Sequence, residues 1–207
     1  MQLQNYYYWF KDAIPHHVCD DIVRYAKSIQ DEMAVTGGLG NRKLNKKEVQ
    51  DLKKKRDSDI VWLNERWIYN AIHPYIHQAN KDANWNFQWD FSESCQFTKY
   101  KKGQYYDWHC DSWDKPYDSP NTQSHGKQRK LSVTLSLSDD KDYTGGELEF
   151  DMRNQDPDKK ANTHVLKEIR SKGSLVVFPS DVWHRVKPVK RGIRHSLVIW
   201  NLGWPFK

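Results

Sequence analysis

The residues of this chain whose types and spacing could do chemistry begin with Tyr105-Tyr106-Asp107-Trp108-His109-Cys110-Asp111. A histidine and an aspartate two apart in an aromatic run predict a strand, and on a strand residues i and i+2 leave the same face. His109 and Asp111 would then present an imidazole nitrogen and a carboxylate oxygen to a common point, with Cys110 turned away. Those are two parts of the 2-His-1-carboxylate triad that leaves open positions on a ferrous ion. His-x-Asp alone recurs by chance, so the reading depends on what else the chain supplies. For a third ligand, His184 is the best placed by context rather than by spacing, because it follows the apolar run Leu175–Phe178 and a Pro179-Ser180-Asp181 turn. His125 and His164 lie in polar, loop-like segments, and His195 is too close to the next feature. That feature is Arg194-His195-Ser196, whose guanidinium and hydroxyl share one strand face and can grip a carboxylate. His73 and His77, four apart on a predicted helix, have no third partner nearby in sequence and read as ordinary helix residues.

These residues need a scaffold. At 207 residues the chain fits a single domain, with 1–84 as helical support and lid segment and 85–207 as a β-rich catalytic core. Hydrophobic residues are only 37%, but ten Trp, eleven Tyr and seven Phe supply a core, since each aromatic buries a large area. The net charge of +6 reads first as a lysine-rich solvated surface, ahead of an acidic or nucleic-acid partner. Three scattered cysteines without a CxxC argue against a disulfide framework or zinc knuckle. The N-terminal MQLQNYYYWFKD has no secretory pattern and no apolar run reaches membrane-spanning length, so the expected location is a reducing cytoplasm, away from membranes.

Along the chain, residues 6–10 predict a strand, and Pro15 stands where a helix can begin. Val18, Ile22, Ala26 and Ile29 would form its apolar stripe, ended by Gly37, Gly38 and Gly40. The charge-rich stretch 41–59 reads as a solvent-facing loop. Ile60–Leu63 predicts a strand, and Asn64 a cap for a helix that buries Ile68, Ile72, Ile76 and Ala79. From residue 85 the helical period is lost. Strands are expected at 86–91, 95–100, 105–111, 131–138, 147–150, 175–178, 182–186 and 195–200, separated by glycine-bearing and acidic turns. The fold class is therefore mainly β with flanking N-terminal helices, as a sandwich or jelly roll.

The motifs YKKGQYYDWHCD, RKLSVTLSLSDDKDYTGGELEF, KGSLVVFPSDVWHRVKPVKRGIRHSLVIW and NLGWPF, in that order, give the block from Phe97 onward a close resemblance to the iron(II)/2-oxoglutarate-dependent oxygenases, in particular the prolyl-4-hydroxylase-like branch. The resemblance implies a double-stranded β-helix (cupin-like jelly roll) holding Fe(II) through His109, Asp111 and His184. It implies 2-oxoglutarate as co-substrate, with Arg194 and Ser196 at its distal carboxylate and Tyr100 beside it, O2 as oxidant and ascorbate as a candidate reductant. It further implies active-site roles for Tyr106, Arg129 on the substrate side and Trp200 near the substrate ring. Ser136 stands where some relatives have a tyrosine on the co-substrate, which would leave more of the anchoring to Arg194 and Ser196. The expected activity is hydroxylation of a peptidyl proline with release of succinate and CO2. A nucleobase or small-molecule substrate, or a metal-binding module without catalysis, are the alternatives. The polar stretch 112–127, together with 36–59, is expected to gate the site.

Overall fold

Alternation with a period of two runs through the long strands and decides which layer each side chain joins. The computed structural model describes residues 5–29, 32–33, 45–112, 114–153 and 160–206. Its first part carries β1 (Tyr8–Phe10), α1 (His16–Lys27), β2 (Glu32–Met33), α2 (Lys46–Lys55), β3 (Arg56–Asp57), β4 (Asp59–Leu63) and α3 (Arg66–Asp82). There follow β5 (Phe91–Ser92), β6 (Cys95–Tyr100), β7 (Tyr105–His109), β8 (Gln128–Ser136), β9 (Tyr143–Gly145) and β10 (Leu148–Asp151). The chain continues with β11 (Thr163–Val165), β12 (Leu175–Pro179), β13 (Trp183–Val186), β14 (Val189–Gly192) and β15 (Arg194–Gly203).

One sheet runs β1-β12-β8-β15-β6-β4-β2 with β5 added to β15, a second runs β11-β10-β13-β7-β3, and β14-β9 form a ribbon. Every pairing described is antiparallel. On the large sheet Phe97, Leu131, Val133, Leu135, Leu175, Val177, Leu197 and Ile199 point to one side, where they pack with Ile22, Ala26, Ile68, Ile72 and Ile76 of α1 and α3. The intervening residues Thr98, Tyr100, Thr134, Ser196 and Trp200 point to the other side, toward the small sheet. Tyr100, Phe150, Val176, Phe178 and Val186 fill part of that second layer. The result is the jelly-roll layering expected, and the N-terminal strands are woven into it, since β1, β2 and β4 belong to the large sheet and β3 is an edge strand of the small one.

One irregularity matters for the site. Asn201 pairs with Leu131 and Leu202 with Arg129, so Lys130 is an extra residue on β8. Such a bulge reverses the side-chain alternation beyond it. Leu131 faces the helices, yet Arg129, two positions earlier, reaches the opposite side and lies over the Trp200 ring.

Four expectations need correction. Within the stretch read as a loop, residues 45–59 are ordered as α2, β3 and the start of β4. Asn45 and Glu48 form a reciprocal capping box at the start of α2 (Glu48 N to Asn45 Oδ1, 2.9 Å; Asn45 N to Glu48 Oε2, 2.8 Å), a signal that the charge run hides. Residues 36–44 of the expected lid, with the three glycines, lie outside the described residues. Residues 86–91 are not a strand apart from Phe91, because the Asn80 amide takes the backbone N–H and C=O of Phe87, and Asn84 and Asn86 sit at φ 58° and 54°. In α1 the buried stripe is Cys19, Ile22 and Ala26, with Ile29 beyond the helix end and exposed. Cysteine serves here as a small apolar residue. At α3 the N-cap position falls on Glu65 rather than Asn64. Three further strands, β9, β11 and β14, fall outside the expected ones.

Candidate active site

His109 ends β7 and His184 lies on β13, where the two are direct cross-strand partners. The backbone pairing therefore delivers two imidazoles to one spot. His109 Nδ1 meets the Asp107 carbonyl at 2.7 Å and His184 Nδ1 meets the Val182 carbonyl at 2.9 Å. Each Nδ1–H is thereby committed as a donor, and each Nε2 lone pair is free to face the same point, the arrangement found behind metal-bound histidines. His109 Nε2 is 3.8 Å from Asp111 Oδ1, and His184 Nε2 is 3.6 Å from Asp111 Oδ2. One ligand atom from each of the three lies within 4.8 Å of the others, and all three side chains are buried.

Asp111 reaches this point by a route other than the one expected. The strand stops at His109, and Asp111 follows in a bend whose backbone N–H donates to the Ser180 carbonyl (2.8 Å). Its carboxylate accepts a hydrogen bond from Ser132 Oγ (2.7 Å), which also contacts Ser180 Oγ (2.9 Å). The turn after β12 and the inner face of β8 thus aim the carboxylate, in place of strand alternation. Burial pushes the Asp111 carboxyl up, but His184, His109, Arg129 and the Ser132 hydroxyl together bring it below the usual carboxylate value. Burial, reinforced by His184, holds His109 well below the ordinary histidine range, so its imidazole is neutral and able to ligate.

The triad opens into a narrow cavity of about 30 Å³ between the sheets. At its far end Arg194, 3% exposed, donates from Nη1 to Ser196 Oγ (3.0 Å) and lies 5.5 Å from the centre of the Tyr100 ring. Arg194 makes no ion pair among the described residues. Gly146, at φ 64°, leaves room for it, since a Cβ there would stand 3.0 Å from Arg194 Cδ. Thr98, whose Cα pairs with that of Ser196, lines the same space with a buried and unpartnered hydroxyl. A buried guanidinium without a counter-charge, next to unspent hydroxyl capacity, fits the distal carboxylate of 2-oxoglutarate. Ser136 does not line the cavity; its hydroxyl turns to the carbonyls of Ser138 and Arg170.

Near the metal ligands, Tyr106 stacks flat on His109 (ring centres 3.5 Å apart, 13° between planes). Burial pushes its phenol up to about 12, so it is neutral. Trp200 lines the cavity with a buried, unpartnered Nε1–H. Arg129 covers its ring at 3.9 Å, but the guanidinium is already engaged, forking onto Glu93 (2.8 and 2.6 Å) and reaching the Asp111 carbonyl at 3.5 Å. Tyr117 of the 112–127 stretch donates to the same Glu93 (2.9 Å), tying that loop to the site. His73 meets Ser92 Oγ at 3.1 Å and His77 stacks on Trp89, both away from the triad.

Sequence reasoning missed Arg56, Gln96, Thr98, Ser132, Thr134 and Ser180. Gln96-x-Thr98-x-Tyr100 and Ser132-x-Thr134 are polar residues at period two inside otherwise apolar strands, and that pattern marks an inward polar face. A larger cleft of about 960 Å³, lined by Trp85, Phe87, Trp89, Lys130, Trp204 and Phe206, lies apart from these ligands.

The model of the 2OG-Fe(II) oxygenase superfamily matches residues 95–201, and the chain belongs to that family. It is a family that uses Fe(II), 2-oxoglutarate and O2. A PKHD-type hydroxylase from Teredinibacter turnerae is 38% identical over 105 residues, which is 51% of this chain and 41% of that protein. The chain thus spans about two fifths of the length of such curated relatives. Among solved structures, a prolyl-4-hydroxylase of Pseudomonas putida superposes with a TM-score of 0.63 at 19% identity, covering 96% of this chain and 92% of that one. A prolyl hydroxylase from Trichoplax adhaerens, in complex with a hypoxia-inducible-factor peptide fragment, gives 0.63 at 17% identity over 96% and 84%. At these identities the likeness is one of fold. Among the described residues no helix is long and apolar enough to cross a membrane.

Proposed function

We propose that this protein is an Fe(II)- and 2-oxoglutarate-dependent dioxygenase that hydroxylates proline within a peptide, releasing succinate and CO2. The observation that carries the reading is the shared cavity. Three buried ligand side chains, two of them histidines with preset Nε2 atoms, stand at one end, and a buried arginine with no acidic partner among the described residues stands at the other. When bound, iron and 2-oxoglutarate would activate O2, the oxidant, with 2-oxoglutarate supplying two of the electrons as it becomes succinate and CO2. The chain's own residues position and protect that chemistry.

His109, Asp111 and His184 hold the metal, with Ser132 fixing the carboxylate rotamer. Arg194, oriented by Ser196 and backed by Tyr100, takes the distal carboxylate, and Thr98 adds a hydroxyl. Tyr106 keeps the His109 ring in its plane and excludes water from that side. Trp200 offers an aromatic edge and one N–H to the substrate. A pyrrolidine ring, which has no donor of its own within a peptide, suits such a wall. Arg129 acts through Trp200 and the Asp111 backbone, which it holds together with Glu93. The names of the superposing structures favour a prolyl peptide among the alternatives. Free thiols at Cys19, Cys95 and Cys110 and a ferrous site fit a reducing cytoplasm.

The test is mass spectrometry of proline-containing peptides, with succinate measured in parallel, after incubation with Fe(II), 2-oxoglutarate and O2. Addition of one oxygen atom to proline is the expected result. Oxidation of single-stranded oligonucleotides, with the peptides untouched, would replace the substrate assignment.

A further inference from the structure

The cavity holds a second arginine that the reading above leaves unused. Arg56, on β3, is 6% exposed and lines the same space as the triad and Arg194. Its Nε donates to Ser58 Oγ (3.0 Å) and its Nη2 to Gln96 Oε1 (2.9 Å), both neutral. Its Cζ lies 4.6 Å from the centre of the Tyr106 ring, which itself stacks on His109. The guanidinium therefore sits two stacking distances from a metal ligand. Among the described residues no ion pair to Arg56 occurs, and Asp111 is the one acid of theirs that lines the cavity.

Charge decides what this means. The iron(II) ion, the Asp111 carboxylate, the 2-oxoglutarate dianion and the Arg194 guanidinium together carry no net charge. Arg56 then leaves the loaded site with one positive charge that nothing in it neutralises. Burying an uncompensated charge is strongly unfavourable, and cation–π contact with Tyr106 and two neutral hydrogen bonds offset only part of that. The remaining group to enter is the substrate. Arginine at such a position is the side chain suited to bidentate capture of a carboxylate.

We propose that the substrate carries a carboxylate within one residue of the ring to be hydroxylated, and that Arg56 is the residue that selects it. The inference rests on the prolyl dioxygenase reading for the identity of the ring, but not for the sign of the charge. The carboxylate has two sources, an acidic residue beside the proline or the α-carboxylate of a terminal or free proline. The reach from β3 supports a short spacing, because Arg56 is held on three sides by Ser58, Gln96 and Tyr106 and has little freedom to extend.

The experiment measures dissociation constants by calorimetry on the full chain, anaerobically, with Mn(II) and 2-oxoglutarate present. Four ligands are compared: a peptide with glutamate beside proline, the same peptide with glutamine, free proline and prolinamide. A parallel set has leucine in place of proline. Wild type should prefer one acid over its amide by about 30-fold or more, as for loss of a buried charge pair. Which acid is preferred identifies the source. Arg56→Gln should abolish the preference, Arg56→Lys should keep a reduced one, and 2-oxoglutarate affinity should stay unchanged in both. The wild-type comparison stands even if a variant folds poorly. Acid preference in the leucine set alone would remove proline from the reading and leave the Arg56 assignment standing. Equal binding of acids and amides in both sets, or a preference that survives Arg56→Gln, would overturn it.

Discussion

Replacing Arg194 by methionine should leave the free protein nearly as stable while weakening its complex with 2-oxoglutarate. The side chain is 3% exposed and, among the described residues, its charge meets the Ser196 hydroxyl and the Tyr100 ring but no acid. Methionine fills a similar volume without a charge to desolvate. Exchanging buried ionic groups for apolar ones is often neutral or stabilising by ~1–4 kcal/mol, and loss of the Ser196 hydrogen bond takes back ~1.5–3 kcal/mol. The unliganded variant should therefore melt within a few degrees of wild type. Binding of 2-oxoglutarate is another matter. Its distal carboxylate would enter a buried site without a cation, at ~2–5 kcal/mol, or about 30- to several-thousand-fold in affinity. A thermal-shift titration with Mn(II) reads both quantities at once, because ligand stabilisation follows RT ln(1 + [L]/Kd). At a 2-oxoglutarate concentration of about 100 Kd for wild type, a stabilisation of ~2.7 kcal/mol should fall to below ~1 kcal/mol. An undiminished shift in the variant would refute the assignment of Arg194, and unfolding of the free variant would refute the argument from unneutralised charge.

Removing an imidazole from the triad should be equally selective: His184→Ala is expected to lose most metal affinity in a metal titration, whereas His73→Ala and His77→Ala bind as wild type does. Gly146→Ala should weaken 2-oxoglutarate binding in the same thermal-shift titration, since the new Cβ would press on Arg194 Cδ from a backbone at φ 64° that L side chains rarely adopt. His195 is stacked on Phe97, and burial first, then Lys27 and Lys99, push its imidazole down to about 4. Below about 6.5 the unfolded chain binds this proton while the folded one does not, so this contribution makes stability decline as pH falls from 6.5 toward 4. Denaturant midpoints at pH 7 and pH 5 should show the decline, and His195→Asn should make it shallower.

The His109–Asp111–His184 cluster and the Arg194–Ser196 pair were legible because local chemistry and strand period coincide there. His109, Asp111, His184, Arg194 and Ser196 all come together as expected, even though Asp111 arrives by a turn rather than along the strand. Arg56 was not legible. It lies in a run of lysines and acids whose composition reads as solvent-facing, and only the pairing of β3 with β7 carries it inward. Nothing within the residues near Arg56 encodes that long-range pairing. Arg129 was found by resemblance, but its commitment to Glu93 was not, because the two are 36 positions apart. The Asn80 clamp on Phe87 likewise cancels a strand that β-prone aromatics predict, through a side chain whose target lies outside its own helix.

The extra residue at Lys130 makes β8 a strand written in two phases. From Leu131 onward the odd positions face the helices, while Ser132 meets Asp111 and Thr134 lines the cavity. Before it, an odd position serves the substrate side. Shortening the strand by one residue there would send the Arg129 end back into step and swing its guanidinium toward α3, away from Trp200. The segment that presents Ser132 would be left where it is. The two ends of one strand can therefore change independently. The Arg129 end can drift without disturbing the segment around Ser132, which makes this position a natural joint between the support of the triad and the wall beside Trp200.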